Sequence, residues 1–314
     1  MNAVEFKDQQ STAYKHILNY TISGGVSSEN HPRRTIFRRT ISEEPYRFLE
    51  ETNTVPKNIY KSDKKKYNQG GDIMNPSTVD SKDLCDLCRE SQVERLLELP
   101  PYTLVKCQRC GLIYVIPRPS PADLVAIYGE SYFTGQGPLG YKPEEDYLND
   151  DSRLEIFVER MLTIERYRKP PGFMVDVGCA SGFSLRAARA RGWDCLGIDI
   201  SEFAINLARE RYGLNVFKGT LSEAALPDDS VDILTMWDLI EHVPSPRREC
   251  IEANRIIKLG GVLALSTPDA DAPNPHPETC DPAKAAFWQA NPPEHLQYFS
   301  PATISRLLAE TGFH

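Results

Sequence analysis

From Phe173 onward, apolar residues come in short blocks that alternate between two periods. F-M-V-D-V, W-D-C-L-G-I-D, N-V-F, V-D-I-L-T-M and G-V-L-A-L-S-T have the length and β-branched content of strands. Between them, helical spacing begins near Gly182, Glu202, Pro246 and Pro301. This alternation predicts an α/β fold built on a doubly wound parallel sheet. Upstream, residues 151–168 place Leu154, Phe157, Val158, Met161 and Leu162 at helical spacing, and Pro170-Pro171-Gly172 ends that helix. Ser120 can cap a shorter helix, A-D-L-V-A-I-Y, followed by the aromatic loop Y-G-E-S-Y-F-T-G. No internal repeat is visible.

Residues 1–73 lack such turn-bounded blocks. They hold scattered apolar residues, a basic cluster (Arg33, Arg34, Arg38, Arg39) and the polar run K-S-D-K-K-K-Y-N-Q-G-G-D. Their 12 Lys+Arg against 9 Asp+Glu make +3, which leaves 24 against 35, or −11, for residues 74–314. The segment is expected to be a poorly structured leader. It is either a basic arm meeting an acidic partner or, more simply, a solvated charge run. A third account is that Gln69-Gly70-Gly71 reads back as a purine-rich ribosome-binding sequence just before Met74. In a bacterial source this predicts a start at Met74, with residues 1–73 untranslated.

The whole chain, 314 residues with 40% apolar and 25% charged, can bury one large and one small core and is not globally disordered. A net charge of −8 argues against holding nucleic acid through bulk positive charge. No apolar run approaches the roughly 20 residues of a membrane span. The N-terminus has no secretory h-region, so a cytoplasmic location is expected.

Cys85, Cys88, Cys107 and Cys110 form C-x2-C-x18-C-x2-C, the spacing of two knuckles around tetrahedral zinc. Gly111 follows the second knuckle, where a positive φ is often needed. In a reducing compartment structural Zn2+ is favoured over disulfides, with redox or bare thiols as the alternative. The surrounding L-C-D-L-C-R-E-S-Q-V-E-R-L-L-E-L-P is acidic, which favours a structural zinc ribbon over a nucleic-acid grip. Cys179, Cys195, Cys250 and Cys280 have no ligand spacing and read as small apolar residues.

The first strand of the parallel sheet runs into V-D-V-G-C-A-S-G-F. The turn Gly178-Cys179-Ala180-Ser181-Gly182 is G-x-x-x-G, not the G-x-G-x-x-G that cradles a pyrophosphate. Preceded by Asp176, it suits a cofactor with an amino-acid end, as in S-adenosylmethionine. Turn N–H groups take the carboxylate and Asp176 attracts the ammonium. Asp199, at the end of the second strand in G-I-D-I-S beside Ile200, can accept from both ribose hydroxyls. Gly219 and Thr220 end the third strand near an adenine, and Trp237 and Asp238 tip the fourth. Each has a plainer reading: a packing turn, a helix cap before Ser201, a core tryptophan.

In combination these motifs resemble class I S-adenosylmethionine-dependent methyltransferases, over V-D-V-G-C-A-S-G-F, G-I-D-I-S, A-L-P-D-D-S-V-D-I-L-T-M-W-D-L-I-E-H-V-P-S-P and R-I-I-K-L-G-G-V-L-A-L-S-T-P-D. R-C-G-L-I-Y-V-I-P-R-P-S and P-P-E-H-L-Q-Y-F-S-P-A-T-I-S-R-L-L-A-E-T-G-F widen the match to the subgroup with an N-terminal zinc-binding module. The resemblance covers about 81–313. It implies a Rossmann-like sheet and cofactor roles for Asp176, Gly178, Gly182, Asp199 and Trp237. It also implies two further strands after A-E-T-G-F that close the sheet as an antiparallel hairpin. The chain ends at His314, so that hairpin is expected to be missing and the methyltransferase domain to be truncated.

Methyl transfer from a sulfonium needs alignment, and a base only for a hydroxyl or C–H acceptor. His295, in P-P-E-H-L after a Pro-rich segment that could overhang the strand ends as a lid, is the first candidate, and His242 in D-L-I-E-H the second. Either can instead be a satisfied structural histidine. Asp238, Glu241 and His242 could also hold a divalent cation. Similar triplets occur in ubiquinone-biosynthesis O-methyltransferases, with Glu in place of Asp238; alternatively, Glu241 only caps or pairs on a helix. Tyr128, Tyr132 and Phe133 could close over the cofactor or merely pack.

The expected division is a leader over 1–73, a zinc ribbon over 81–118, a helical connector and cofactor lid over 119–170, and the methyltransferase domain over 171–314. The expected activity is methylation of an oxygen or carbon of a small molecule: a sugar, quinone precursor or secondary metabolite. An RNA methyltransferase gripping RNA through the ribbon, and a non-catalytic cofactor-binding remnant, are the alternatives. The oligomeric state is not readable.

Overall fold

A computed structural model describes residues 17–25, 33–39, 73–74, 80–141, 152–274, 287 and 289–313. In chain order the strands are β1 (Ile17–Gly25), β2 (Arg33–Arg39), β3 (Ile73–Met74), β4 (Val93–Leu99), β5 (Tyr102–Cys107), β6 (Ile113–Ile116), β7 (Phe173–Val177), β8 (Asp194–Asp199), β9 (Val216–Lys218), β10 (Val231–Trp237), β11 (Ile257–Pro268) and β12 (Gln297–Tyr298). The helices are α1 (Pro121–Ile127), α2 (Glu130–Thr134), α3 (Ser152–Ile164), α4 (Phe183–Ala190), α5 (Glu202–Tyr212), α6 (Pro246–Ile256) and α7 (Pro301–Glu310).

Five apolar blocks become parallel strands because both their faces are covered by helices. A seven-stranded sheet runs β2-β1-β11-β10-β7-β8-β9, with β7 to β11 parallel. The strand order reverses between β7 and β10, and such a switch point opens a crevice at the strand ends. Met161 and Ile164 of α3 and Ala187 and Ala188 of α4 pack on one face. Cys250 and Ala253 of α6 and Leu307 and Leu308 of α7 pack on the other.

Two expectations change at the β11 edge. Within 1–73, residues 17–25 and 33–39 form strands, against the poorly structured leader expected there; the rest of that leader, save 73–74, lies outside the described residues. β1 runs antiparallel to β11, from Ile17 opposite Pro268 to Ser23 opposite Val262, and β2 pairs with β1. An antiparallel pair thus covers the edge that the missing C-terminal hairpin was expected to leave open. No strand follows α7 among the described residues.

The second sheet is antiparallel, in the order β12-β6-β5-β4-β3. It is the ribbon, extended beyond 81–118 by strands from both flanks. β12 pairs with β6 through Gln297 opposite Tyr114, and Val115 N donates to Leu296 O at 3.0 Å. Asp86 joins the ribbon to the parallel sheet's helix layer by capping α6. Its carboxylate accepts from Arg247 N at 2.8 Å and Ser245 Oγ at 2.9 Å. Arg118 donates to Leu84 O at 2.9 Å and Pro244 O at 3.2 Å. Among the described residues, no helix is long and apolar enough to cross a membrane.

Candidate functional site

β7 ends at Val177, and the chain turns through Gly178 to Gly182 into α4. Gly178 N and Cys179 N both donate to Ile198 O, at 2.8 and 3.2 Å, which pins the turn to β8. Gly182 caps α4 at φ 88°, and a Cβ there would lie 2.3 Å from Leu214 Cδ1. Both the conformation and the close approach require glycine. Asp199 reaches back from β8. Its Oδ2 accepts from Ala180 N and its Oδ1 from Ser201 N, each at 2.8 Å. The cap and the ligand readings of Asp199 are therefore compatible, because a carboxylate has about four lone-pair sites.

A cavity of about 920 Å³ opens beside this turn. Asp176, Gly178, Cys179, Ala180, Asp199 and Ile200 line it from β7 and β8. Gly219 and Thr220 line it after β9, and Trp237 and Asp238 at the tip of β10. Ser181 and Gly182 are not among its lining residues. Ser181 is buried beneath the turn and Gly182 packs on Leu214. Tyr128, Tyr132 and Phe133 also line the cavity. Residues 275–286 and 288 of the Pro-rich segment, with Cys280, lie outside the described residues.

Two features fit S-adenosylmethionine. Burial pushes the Asp176 carboxyl up to about 7, against the hydrogen bond it accepts from Thr235 Oγ1 at 2.5 Å. A desolvated carboxylate of this kind is suited to an arriving ammonium. Trp237 Nε1 is buried without a hydrogen-bond partner, a donor that a polar ligand can satisfy. Sequence reading missed Arg160 of α3. Its guanidinium lies 4.4 Å from the Trp237 ring centroid and 3.8 Å from Asp238 Oδ2, and it lines the cavity. Nothing in its helical spacing marks it, because only the packing of α3 on β10 brings it there.

The two candidate bases separate. His242 lines the cavity; His295 does not, and stands behind it with ring centroids 4.7 Å apart. His242 Nδ1 lies 2.7 Å from Glu294 O and 3.0 Å from Tyr128 Oη. The carbonyl can only accept, so Nδ1 carries the proton and Nε2 the lone pair. Burial lowers the pKa of His242, and burial with the neighbouring His242 lowers that of His295 to about 3. His295, the first candidate base, is thus buried outside the cavity lining, and His242, the second, is part of it. Tyr132 Oη and Asn291 Nδ2 donate to the buried Glu294 carboxylate at 2.7 and 2.6 Å, tying the aromatic wall to the chain before β12.

The four ribbon cysteines converge. Cys85 and Cys110 Sγ are 3.4 Å apart, as are Cys88 and Cys107 Sγ. All four sulfurs lie within 4.8 Å of one another. Tetrahedral ZnS4 requires separations of about 3.8 Å, so the set fits zinc. Each knuckle is a tight turn, with Arg89 N donating to Cys85 O and Gly111 N to Cys107 O.

A family model described as a methyltransferase domain matches residues 149–314, just over half of the chain. The chain therefore belongs to the class I S-adenosylmethionine-dependent methyltransferases. It is 37% identical over 99 residues to a ubiquinone biosynthesis O-methyltransferase of Methylococcus capsulatus, covering 30% of this chain and 42% of the relative. It is 28% identical over 181 residues to a probable S-adenosylmethionine-dependent methyltransferase of Mycolicibacterium smegmatis, covering 57% and 64%. A ubiquinone biosynthesis O-methyltransferase of Coxiella burnetii matches at 32% over 116 residues, covering 35% and 47%. The chain thus spans between 42% and 64% of the length of these relatives.

Proposed function

We propose that this chain transfers the methyl group of S-adenosylmethionine to an oxygen or carbon of a small molecule, with a quinone precursor as the first acceptor class to test. The observation that carries this reading is one cavity lined by Asp176, Asp199 and Trp237 and also by Tyr128 and His242; the first three are assigned to the cofactor and the other two to the acceptor. Its volume of about 920 Å³ is of small-molecule size. The names of two relatives support the quinone class. The charge of −11 over residues 74–314 supports a small acceptor over RNA.

The bound cofactor supplies an activated methyl group. Asp176 takes the ammonium, the 178–182 turn faces the carboxylate, and Asp199 accepts from ribose with the lone pairs left by Ala180 and Ser201. The protein's remaining task is alignment, a contribution of roughly 7–11 kcal/mol in favourable cases. Neutral His242 is a positioning residue that holds the Tyr128 hydroxyl at the acceptor wall, and His295 buttresses it from behind. The four cysteines hold structural zinc in a reducing, cytoplasmic setting.

The test is calorimetry of the full chain with S-adenosylmethionine, followed by labelled methyl transfer to catechols and to RNA. Binding with catechol turnover is expected. Turnover on RNA alone, or binding without turnover on any acceptor, would replace this reading with one of its alternatives. Absence of binding would remove all three.

A further inference from the structure

The turn after β10 and the segment entering β12 meet behind the cavity wall. Glu241, His242 and His295 each bring one ligand-type atom there, all within 4.8 Å of one another. Glu241 comes from the parallel sheet and His295 from the chain that pairs with the ribbon. Backbone bonds set their approach, since Leu296 N and Gln297 N both donate to Glu241 O, at 2.8 and 3.1 Å.

Three observations distinguish this cluster from ordinary polar packing. Glu241 is 2% exposed and its Oε2 has no hydrogen-bond partner. The buried Thr267 hydroxyl faces this carboxylate as a donor, but with one proton it can serve only one of the two oxygens. His242 Nε2 lies 3.9 Å from Glu241 Oε1, beyond hydrogen-bond reach, so a shared proton does not explain the approach. The bond from His242 Nδ1 to Glu294 O leaves Nε2 as a neutral donor, the arrangement by which a backbone carbonyl orients a metal-ligating imidazole.

Asp238, the third member of the triplet read from D-L-I-E-H, is not in this cluster. Its Oδ1 accepts from Ser266 Oγ at 2.8 Å, and its Oδ2 faces Arg160. The geometry points to a second metal site, separate from the four cysteines. Glu241, His242 and His295 hold a borderline divalent transition ion there through two imidazoles and one carboxylate. Such an ion ties the end of β10 to the entrance of β12 and so braces the wall that His242 presents to the cavity. The site stands whether or not the proposed methyl transfer is right, because its test is metal binding rather than turnover.

The full chain, brought to one zinc by mild chelation, is titrated with Co2+ and followed by absorption and melting temperature. One further equivalent is expected, with d–d bands, no thiolate charge-transfer band and a raised melting temperature. Glu241→Gln and His295→Asn, each checked for native circular dichroism, should weaken Co2+ binding more than about tenfold. Asp238→Asn should leave it unchanged. No second equivalent, thiolate bands only, or parental Co2+ affinity in both ligand variants would overturn the site. Equal weakening in Asp238→Asn would overturn this ligand set.

Discussion

In the parallel sheet, β10 runs V-D-I-L-T-M-W with six of its seven residues buried. In the ribbon sheet, β4 runs V-E-R-L-L-E-L with only two of seven buried. The first strand is held by apolar contact on both faces. The second has one partly covered face, and its sheet is joined to four converging cysteines, a carboxylate cap on α6 and a strand borrowed from far along the chain. Both regions reach the cavity. β7, β8 and the turn from Gly178 to Ala180 line it from the parallel sheet, the part assigned to the cofactor under the proposed function. His242 to Ser245 also line the cavity, and both the 242–247 loop and the chain entering β12 are gripped by the ribbon. On the proposed reading, the self-supporting core carries the cofactor and the cysteine-clustered module positions the acceptor side.

The largest effect should come from breaking the ribbon. Removing zinc, or Cys107→Ser, forfeits a binding free energy on the order of 10 kcal/mol and should unfold the module. Acceptor turnover is then expected to vanish while affinity for S-adenosylmethionine changes less than about threefold. Equal loss of both in paired calorimetry and turnover assays would mean that the two roles are not divided in this way. Next, a chain beginning at Met74 removes β1 and β2 and leaves the β11 edge unpaired. It should melt earlier and aggregate in light scattering; indistinguishable behaviour would favour the untranslated leader instead.

Smaller effects separate the two roles residue by residue. Gly182→Ala forces a Cβ against Leu214 at positive φ and should cost about 2–3 kcal/mol in denaturant melts, with weaker cofactor binding. Asp86→Ala removes the cap on α6 and should cost about 1–2 kcal/mol, leaving cofactor binding intact.

Acidity acts on the cofactor side. Burial raises Asp176 to about 7 in the free protein, above its unfolded value of 3.8. The folded state thus binds the extra proton between these values, and this group's contribution to stability grows as pH falls from 7 toward 4. The ammonium needs the ionised form, so affinity should drop up to about tenfold per pH unit below 7. Asp176→Asn should bind weakly, with that pH dependence gone; an unchanged dependence would assign it to another group.

Much of this was legible in the chain. The five parallel strands and the helix starts followed from apolar period and caps, because such blocks satisfy their backbone and packing locally. Asp176, Asp199 and Trp237 were legible because they sit at strand ends, where topology alone delivers them to one crevice. The place of His295 was not legible. Its sequence position near a lid says nothing of the pairing with β6 that turns it behind His242. Arg160 was missed because one face of α3 looks much like another until it packs.

The order of apolar blocks, the cysteine spacing and the Gly178–Gly182 turn were determined by sequence alone, since each depends on residues a few positions apart. Three features were decided only in three dimensions. They are the antiparallel strands covering β11, the recruitment of β12 into the ribbon, and the meeting of Glu241 and His242 with His295. These rest on partners separated by tens to hundreds of residues, and hydrophobic burial, being non-directional, does not specify such pairs. Backbone ladders and close packing select them once the sheets have formed.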